Sequence, residues 1–409
     1  MLVHRAIAES YATAIEGLPS GSTTDAELPA AALAGGDLLQ RLSGVSDGRS
    51  EQGRDQPVAA VLTLCAAAVL AGMRSFTAIA GWVTDVPTEL LARLYARPAT
   101  YPSKTTLWRV LTGADSAAVD AVVGAWLAEH AGLSEPTGAA GDDHGVVAVA
   151  VDGKTVRGAV DAQGQRVHLL AAATHQDNLV LGQVEVGAKT NEIPMFAPLL
   201  DSLASTGVDL AHVGITADAL HAQRGHAEYL PERGAEFVFT VKHNQPGLFA
   251  ALDALPWTTT PIAARDIQRG HGRVTTRTIQ VLPAPPDLPF PHVNQVWLIE
   301  RYVTDSTGGQ SAVAVLGVTS LTPAHAAPER LAGLVRDHWG IKALHWLRDT
   351  VYREDASTAH TRSGPRVMTA LRTLSIGALH LLGRRDITEA TRWATRSMDR
   401  PFKILKLMN

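Results

Sequence analysis

Two short apolar runs, each ending in an aspartate, constrain this chain more than any other feature. Val146 to Val151 leads into Asp152-Gly153-Lys154, and Val213 to Ala217 leads into Asp218. Continuous apolar runs of this length, rich in valine and bounded by polar residues, predict buried strands. If the two strands lie side by side, both carboxylates emerge at one edge of the sheet. There they can share a divalent cation, and without one they repel and at least one pKa rises. Mg²⁺ suits such a place because it takes oxygen ligands in near-octahedral geometry and leaves room for water and a phosphodiester oxygen. Asp-Gly is also a common turn at a strand end, so the first motif alone does not separate a metal ligand from an Asx turn.

The surrounding pattern is α/β. Residues 1–34 are predicted to be poorly structured. Helical stretches at Val58 to Ala71, Ser75 to Val83, Pro87 to Leu94, Ser103 to Leu111 and Ser116 to Ala131 make residues 35–133 a small helical domain. Ser103 reads as an N-cap, on a helix able to carry Lys104 and Arg109 toward phosphate. Residues 134–144, rich in Ser, Glu, Pro, Gly and Asp, read as a linker. Beyond it, strands are expected at Val146 to Val151, His168 to Thr174 and Leu179 to Val186, then a helix from Ile193 to Leu203. Strand Val213 to Ala217, a helix near His221 to Leu230 and strand Phe237 to Val241 follow. Short polar turns between the first three strands predict an antiparallel meander within a mixed sheet. Gly153 and Gly158 lack the spaced glycines of a dinucleotide site.

Strand-like pieces at Arg273 to Leu282, Gln295 to Thr304 and Ser311 to Val318 make 245–327 a β-rich insertion or an extension of the sheet. Helices Arg336 to Val351 and Arg366 to Leu382 complete a domain over 145–382, leaving 383–409 as a basic tail.

The formal charge of −4 gives no general reason to expect nucleic acid, while its distribution fits either an electropositive carboxy-terminal region able to meet phosphate or an ordinary solvated pair of basic helices. From Arg336 to Asn409 there are 14 Lys/Arg against 7 Asp/Glu, a local +7, which leaves −11 for the rest. One cysteine, Cys65, excludes an intrachain disulfide framework and a thiolate metal cluster. The longest apolar stretches fall short of the roughly 18–20 residues that span a bilayer, and the first 20 residues lack the pattern of a secretory signal. A cytoplasmic protein without membrane segments is the expectation.

Several further motifs occur in one order: Lys189-Thr190-Asn191-Glu192-Ile193-Pro194, Thr216-Ala217-Asp218-Ala219-Leu220-His221, Val241-Lys242-His243-Asn244-Gln245-Pro246, Gly270-His271-Gly272-Arg273, and the block from His338 through Asp355. With Asp152-Gly153-Lys154 they make residues 35 to 385 resemble the ISAs1-type, H-repeat-associated transposases of the IS4-like DDE group. The resemblance implies an RNase H-like mixed sheet with flanking helices and a DNA transposase using Mg²⁺ or Mn²⁺. Its partners would be double-stranded DNA, namely element terminal repeats and target DNA, with a homodimer forming on that DNA. Asp152 and Asp218 match the first two catalytic acids and metal ligands. Lys154, Arg157, His221, Lys242, His338, His345, Arg362 and Arg366 are candidates for phosphate or DNA contact.

The third acid does not match. Relatives carry Ile-Glu-Asn and one more residue before Leu-His-Trp, whereas this chain has Ile341-Lys342-Ala343 before Leu344-His345-Trp346. Lys342 stands where the acid is expected, and an ammonium removes an oxygen ligand while adding a repelling charge. Asp349 and Glu192 are the candidate substitutes; Asp349 shares a helix face with Lys342 but lies ~10.5 Å along the axis. The expectation is therefore a transposase descendant with impaired cleavage. An active enzyme with a substitute acid and a non-catalytic DNA-binding repressor are the alternatives.

Overall fold

The computed structural model describes residues 38–49, 55–95, 100–133, 146–160, 164, 166–187, 190–270 and 272–407. The stretch expected to be poorly structured, all of the linker, Lys189 and His271 lie outside them.

The amino-terminal helices are α1 (Leu38–Leu42), α2 (Val58–Leu70), α3 (Phe76–Thr84), α4 (Thr88–Leu94), α5 (Lys104–Gly113) and α6 (Ser116–His130). Their starts follow local chemistry: the side chains of Ser75, Ser103 and Asp115 accept first-turn backbone N–H groups. Helix α2 is apolar on every side and is buried from Ala59 to Leu70, with Cys65 at its middle. These helices do not enclose a core of their own. One apolar cluster runs from α2 and α6 into the sheet and the long carboxy-terminal helix α12 (Gly364–Leu381). Gly124 on α6 permits this contact, because a Cβ there would stand 2.0 Å from the carbonyl oxygen of Leu181.

The sheet contains β1 (Val147–Val160), β2 (Arg166–Thr174), β3 (Val180–Val186), β4 (Val213–Ala217), β5 (Glu236–Val241), β6 (Ala264–Gly270), β7 (Arg273–Pro283), β8 (Gln295–Asp305) and β9 (Gln310–Thr319). Their order is β3-β2-β1-β4-β5-β9-β8-β7-β6. Strands β1 to β3 form the expected antiparallel meander, and β1, β4 and β5 run parallel. Helices α7 (Phe196–Ser205) and α8 (Arg224–Glu232) make the crossovers. This mixed α/β arrangement with flanking helices is consistent with the RNase H-like superfamily.

The β-rich stretch is an extension of the same sheet. Strand β9 pairs antiparallel with β5, and β8, β7 and β6 continue outward. Helix α9 (Pro246–Asp253) and edge strand β6, neither expected from sequence, belong to this part. The helix expected over Arg336 to Val351 is two helices, α10 (Pro328–Asp337) and α11 (Gly340–Thr350). The expected tail is also folded: α13 (Ile387–Thr395) and α14 (Asp399–Ile404) return to the helical face, where Phe402 stacks on Trp82. Among the described residues no single helix is long and apolar enough to cross a membrane.

Candidate active site

The pairing of β1 with β4 brings the two aspartates together. Val151 is registered with Ala217, so Asp152 and Asp218 are the next residues on adjacent parallel strands, which lie about 4.8 Å apart. Strand β4 stops there, and Asp218 caps the following turn by accepting the Leu220 N–H at 2.9 Å. Strand β1 does not stop. It continues to Val160 on β2 alone, so Asp152 sits in mid-strand where the parallel pairing ends, and Gly153 makes no turn. A Cβ on Gly153 would collide with the Glu192 carboxylate at 2.0 Å, so the glycine admits a third acid against the β1 backbone.

Glu192 is held between two imidazoles. His168 Nε2 lies 2.8 Å from one carboxylate oxygen and His221 Nε2 lies 3.1 Å from the other. A carboxylate only accepts, so both of these ring nitrogens donate, and His168 Nδ1 lies 2.8 Å from the Thr155 hydroxyl oxygen. Burial disfavours the Glu192 charge, but the two histidine hydrogen bonds outweigh it and bring the pKa down to about 2. For Asp152, burial dominates and, with the carboxylates of Asp218 and Glu192, pushes the pKa up against the pull of Lys342.

Lys342 supplies the positive charge this cluster lacks. It projects from the first turn of α11, and its Nζ lies 2.8 Å from both Asp152 oxygens. Its ammonium also sits 5.6 Å from the centre of the Trp339 ring, within cation–π range. A divalent cation is implied at Asp152 and Asp218 by the resemblance, and the residues present do not fit one. The ammonium spans the Asp152 carboxylate edge that a metal would use, and two like-charged ions cannot share that edge. Among the described residues no group of three or more His, Cys, Asp or Glu side chains is arranged to hold a metal ion.

A second ion pair of opposite sense lies further along the same two elements. Lys154, two residues beyond Asp152 and on the same face of β1, donates to both oxygens of Asp349 at 2.8 and 2.9 Å. Between the pairs stands His345, buried, with Nδ1 3.5 Å from Asp152. Burial, then Arg348, Lys154 and Lys342, hold its pKa well below the ordinary value, so the ring is neutral. His338, also buried, shares the Thr216 hydroxyl with His175 at 3.0 and 2.8 Å. Burial and the nearby Lys342 and His221 lower its pKa to about 3.

Behind this layer Glu354 is wholly buried, receiving Arg348 at 2.7 Å, Arg372 at 3.2 Å and the Thr369 hydroxyl at 2.9 Å. Burial opposes its ionisation, but Arg348, Arg372 and Lys154 outweigh that and bring its pKa to about 2.

The sequence candidates therefore separate. Asp152, His221, His338 and His345, all buried, and the half-buried Asp218 and Glu192 belong to one cluster, with Lys154 and Asp349 beside it. Asp349 is neutralised by Lys154, whereas Glu192 is the alternative acid whose charge acts on Asp152. His221, His338, His345 and Lys154 are buried and held by internal contacts. Arg366 is taken up by Asp120 at 2.9 Å and Glu185 at 3.6 Å. Arg157, Lys242 and Arg362 are exposed. His168, His175 and Thr216 escaped the sequence reading. The only local signal was a polar side chain inside an apolar strand, and strand pairing turns that into a site.

The chain belongs to the DDE transposases. The family model described as "Transposase DDE domain" matches residues 144–376, and the one described as "DDE_Tnp_1-associated" matches residues 39–127. Among curated relatives, "Putative transposase YncI" of Escherichia coli O157:H7 is 26% identical over 361 residues, covering 84% of this chain and 87% of that protein. "H repeat-associated putative transposase YhhI" of Escherichia coli (strain K12) is 26% identical over 251 residues, covering 58% of this chain and 65% of that protein. A Xanthobacter autotrophicus protein described as uncharacterized, in the dhlA 3′ region, is 30% identical over 233 residues, covering 54% of this chain and 72% of its own length. The family relationship is thus to IS4-type and H-repeat-associated elements, and DNA transposition is its general role.

Proposed function

We propose that this chain is an H-repeat-type transposase descendant whose strand-cleavage centre is closed by its own lysine. It retains the means to engage double-stranded DNA at element ends, as a dimer on that DNA. Asp152 and Asp218 take the first two acid positions, and Lys342 takes the third. The observation that carries the reading is the Lys342 ammonium at 2.8 Å from both Asp152 oxygens. In that arrangement the Asp152 carboxylate is neutralised from within. The remaining groups position rather than react: His168 and His221 fix Glu192, and Asp218 fixes the turn after β4. A DNA-binding repressor of active relatives is the function such a chain would keep.

One observation favours a second reading, an active enzyme in which Glu192 serves as the third acid. Its carboxylate lies against Gly153 and its charge is felt at Asp152. The test uses the full chain, a duplex carrying the DNA that borders its own coding sequence, and Mg²⁺ or Mn²⁺. Binding without nicking is expected. Reproducible nicking that disappears in Asp152→Ala overturns the closed-site reading, and its further loss in Glu192→Gln selects the second.

A further inference from the structure

The surface positive charge that the buried site does not use gathers elsewhere. A groove of about 620 Å³ runs between the amino-terminal helices and the segment joining α11 to α12. One wall carries Arg74, at the approach to α3, and Lys104 with Trp108 on α5. The opposite wall carries Arg353 and residues 356–359. Arg74, Lys104 and Arg353 are exposed and, among the described residues, none of their side chains has an acidic partner. Among the described residues no Asp or Glu lines the groove. In a chain with a net charge of −4, three unneutralised cations facing one cavity mark a site for an anion.

Two independent features add to the cations. The first turns of α3 and α5 both open on the groove through Phe76, Thr77, Lys104 and Thr105, and Ser75 and Ser103 cap the N–H groups of Ala78 and Thr106. Earlier first-turn N–H groups have no intrahelical acceptor and favour negative charge. Arg353 has a φ of +50°, a left-handed conformation that an arginine adopts at a cost unless its surroundings hold it there. Those surroundings are the buried Glu354 network and Asp355, which ties this segment to Lys154 and to the Arg157 backbone of β1.

We infer that this groove holds the sugar-phosphate backbone of a DNA duplex, bridging the amino-terminal helices and the segment bound to the acid site. The inference rests on the DNA-transposase reading and goes beyond it by naming the surface. Trp108, with 41% of its surface exposed, faces the same cavity. An indole there packs on deoxyribose, for which a free phosphate ion has no counterpart.

The experiment measures anisotropy of a fluorescein-labelled 30-base-pair duplex with the full chain across a salt series. Arg74→Gln, Lys104→Gln and Arg353→Asn are combined, asparagine being chosen because it tolerates the left-handed conformation. Expected are a roughly 10- to 100-fold loss of affinity and a log–log salt slope shallower by about 2.7, since each lost phosphate contact removes ~0.9. Trp108→Ala lowers affinity and leaves the slope unchanged. The control neutralises three exposed arginines elsewhere, Arg93, Arg392 and Arg396, and keeps most of the binding. A triple variant with wild-type melting temperature, slope and affinity overturns the groove. So does an equal loss in the control, or tight saturable binding of inorganic phosphate that displaces the duplex. Absence of any duplex binding by the wild type overturns the DNA reading itself, a result distinct from the others.

Discussion

Replacing Lys342 by glutamate should turn a metal-indifferent protein into one that a metal stabilises. In the wild type the ammonium bridges both Asp152 oxygens, and the lysine side chain is 23% exposed against 8% for the aspartate. Removing one partner of a largely buried pair costs about 3–5 kcal/mol, because the other charge stays in place. The new carboxylate would also face Asp152, Asp218 and Glu192, so the upper part of that range applies without metal. At ~2.1 cal/mol/K of unfolding entropy per residue, a 409-residue cooperative unit shifts by roughly 1 °C per kcal/mol. Lys342→Glu should therefore melt about 4–5 °C lower in chelator. A cation at 100 times its dissociation constant returns ~2.7 kcal/mol, or about 3 °C. Lys342→Met separates the effects, since it loses the ammonium without gaining a ligand and should not respond to metal. The assay is a calorimetric or fluorescence melt with EDTA, Mg²⁺ and Mn²⁺. A rise in wild-type melting temperature with either ion that vanishes in Asp152→Asn would refute the reasoning. Failure of Lys342→Glu to respond, with its fold intact, would show that position 342 does not converge with the two aspartates on a common ion.

Three further predictions concern the scaffold. Glu354→Ala leaves Arg348 and Arg372 buried without their carboxylate and should cost ~3–5 kcal/mol in a denaturant titration. The same group gives a pH signature. Its folded pKa of about 2 lies below its unfolded value near ~4.3, so its contribution is complete above that value and is lost as pH falls toward 2; acid unfolding should shift to higher pH when Glu354 is changed to Gln. Gly124→Ala forces a methyl group to within 2.0 Å of the Leu181 carbonyl oxygen. It should destabilise by roughly 1–3 kcal/mol, and it should loosen the seam between α6 and β3, read as faster amide exchange on both sides.

Much of the site was legible where local chemistry and packing agree. The apolar runs before Asp152 and Asp218 are buried strands, as their pattern predicts, whereas their side-by-side parallel pairing was only a condition of that reading and is settled by the sheet. The extent of β1 was not legible, because Gly153 and Lys154 are poor strand formers whose conformation is imposed by pairing with Leu170 and Leu169 of β2. Strand β6 was hidden for a related reason: Ala264–Gly270 is largely polar and lies at the sheet edge, so pairing with β7 rather than its own pattern makes it a strand. The basic excess after residue 336 misled as a measure of surface potential. Lys342, Arg348, Arg366, Arg372 and Arg385 are spent on Asp152, Glu354, Asp120 and Asp177, acids mostly distant in sequence. Partner choice of this kind depends on which elements meet, which a local window does not contain.

The two ion pairs between β1 and α11 run in opposite senses, acid to base at Asp152 and Lys342, base to acid at Lys154 and Asp349. Such a pair of contacts discriminates among ways of seating the helix. Turned end for end, α11 would set lysine against lysine and aspartate against aspartate, and slid by two turns it would forfeit one attraction entirely. The lysine at position 342 thus has a consequence for assembly of the fold as well as for chemistry. A carboxylate there would meet Asp152 as a like charge until a cation arrived, whereas the lysine lets the chain select its final docking alone.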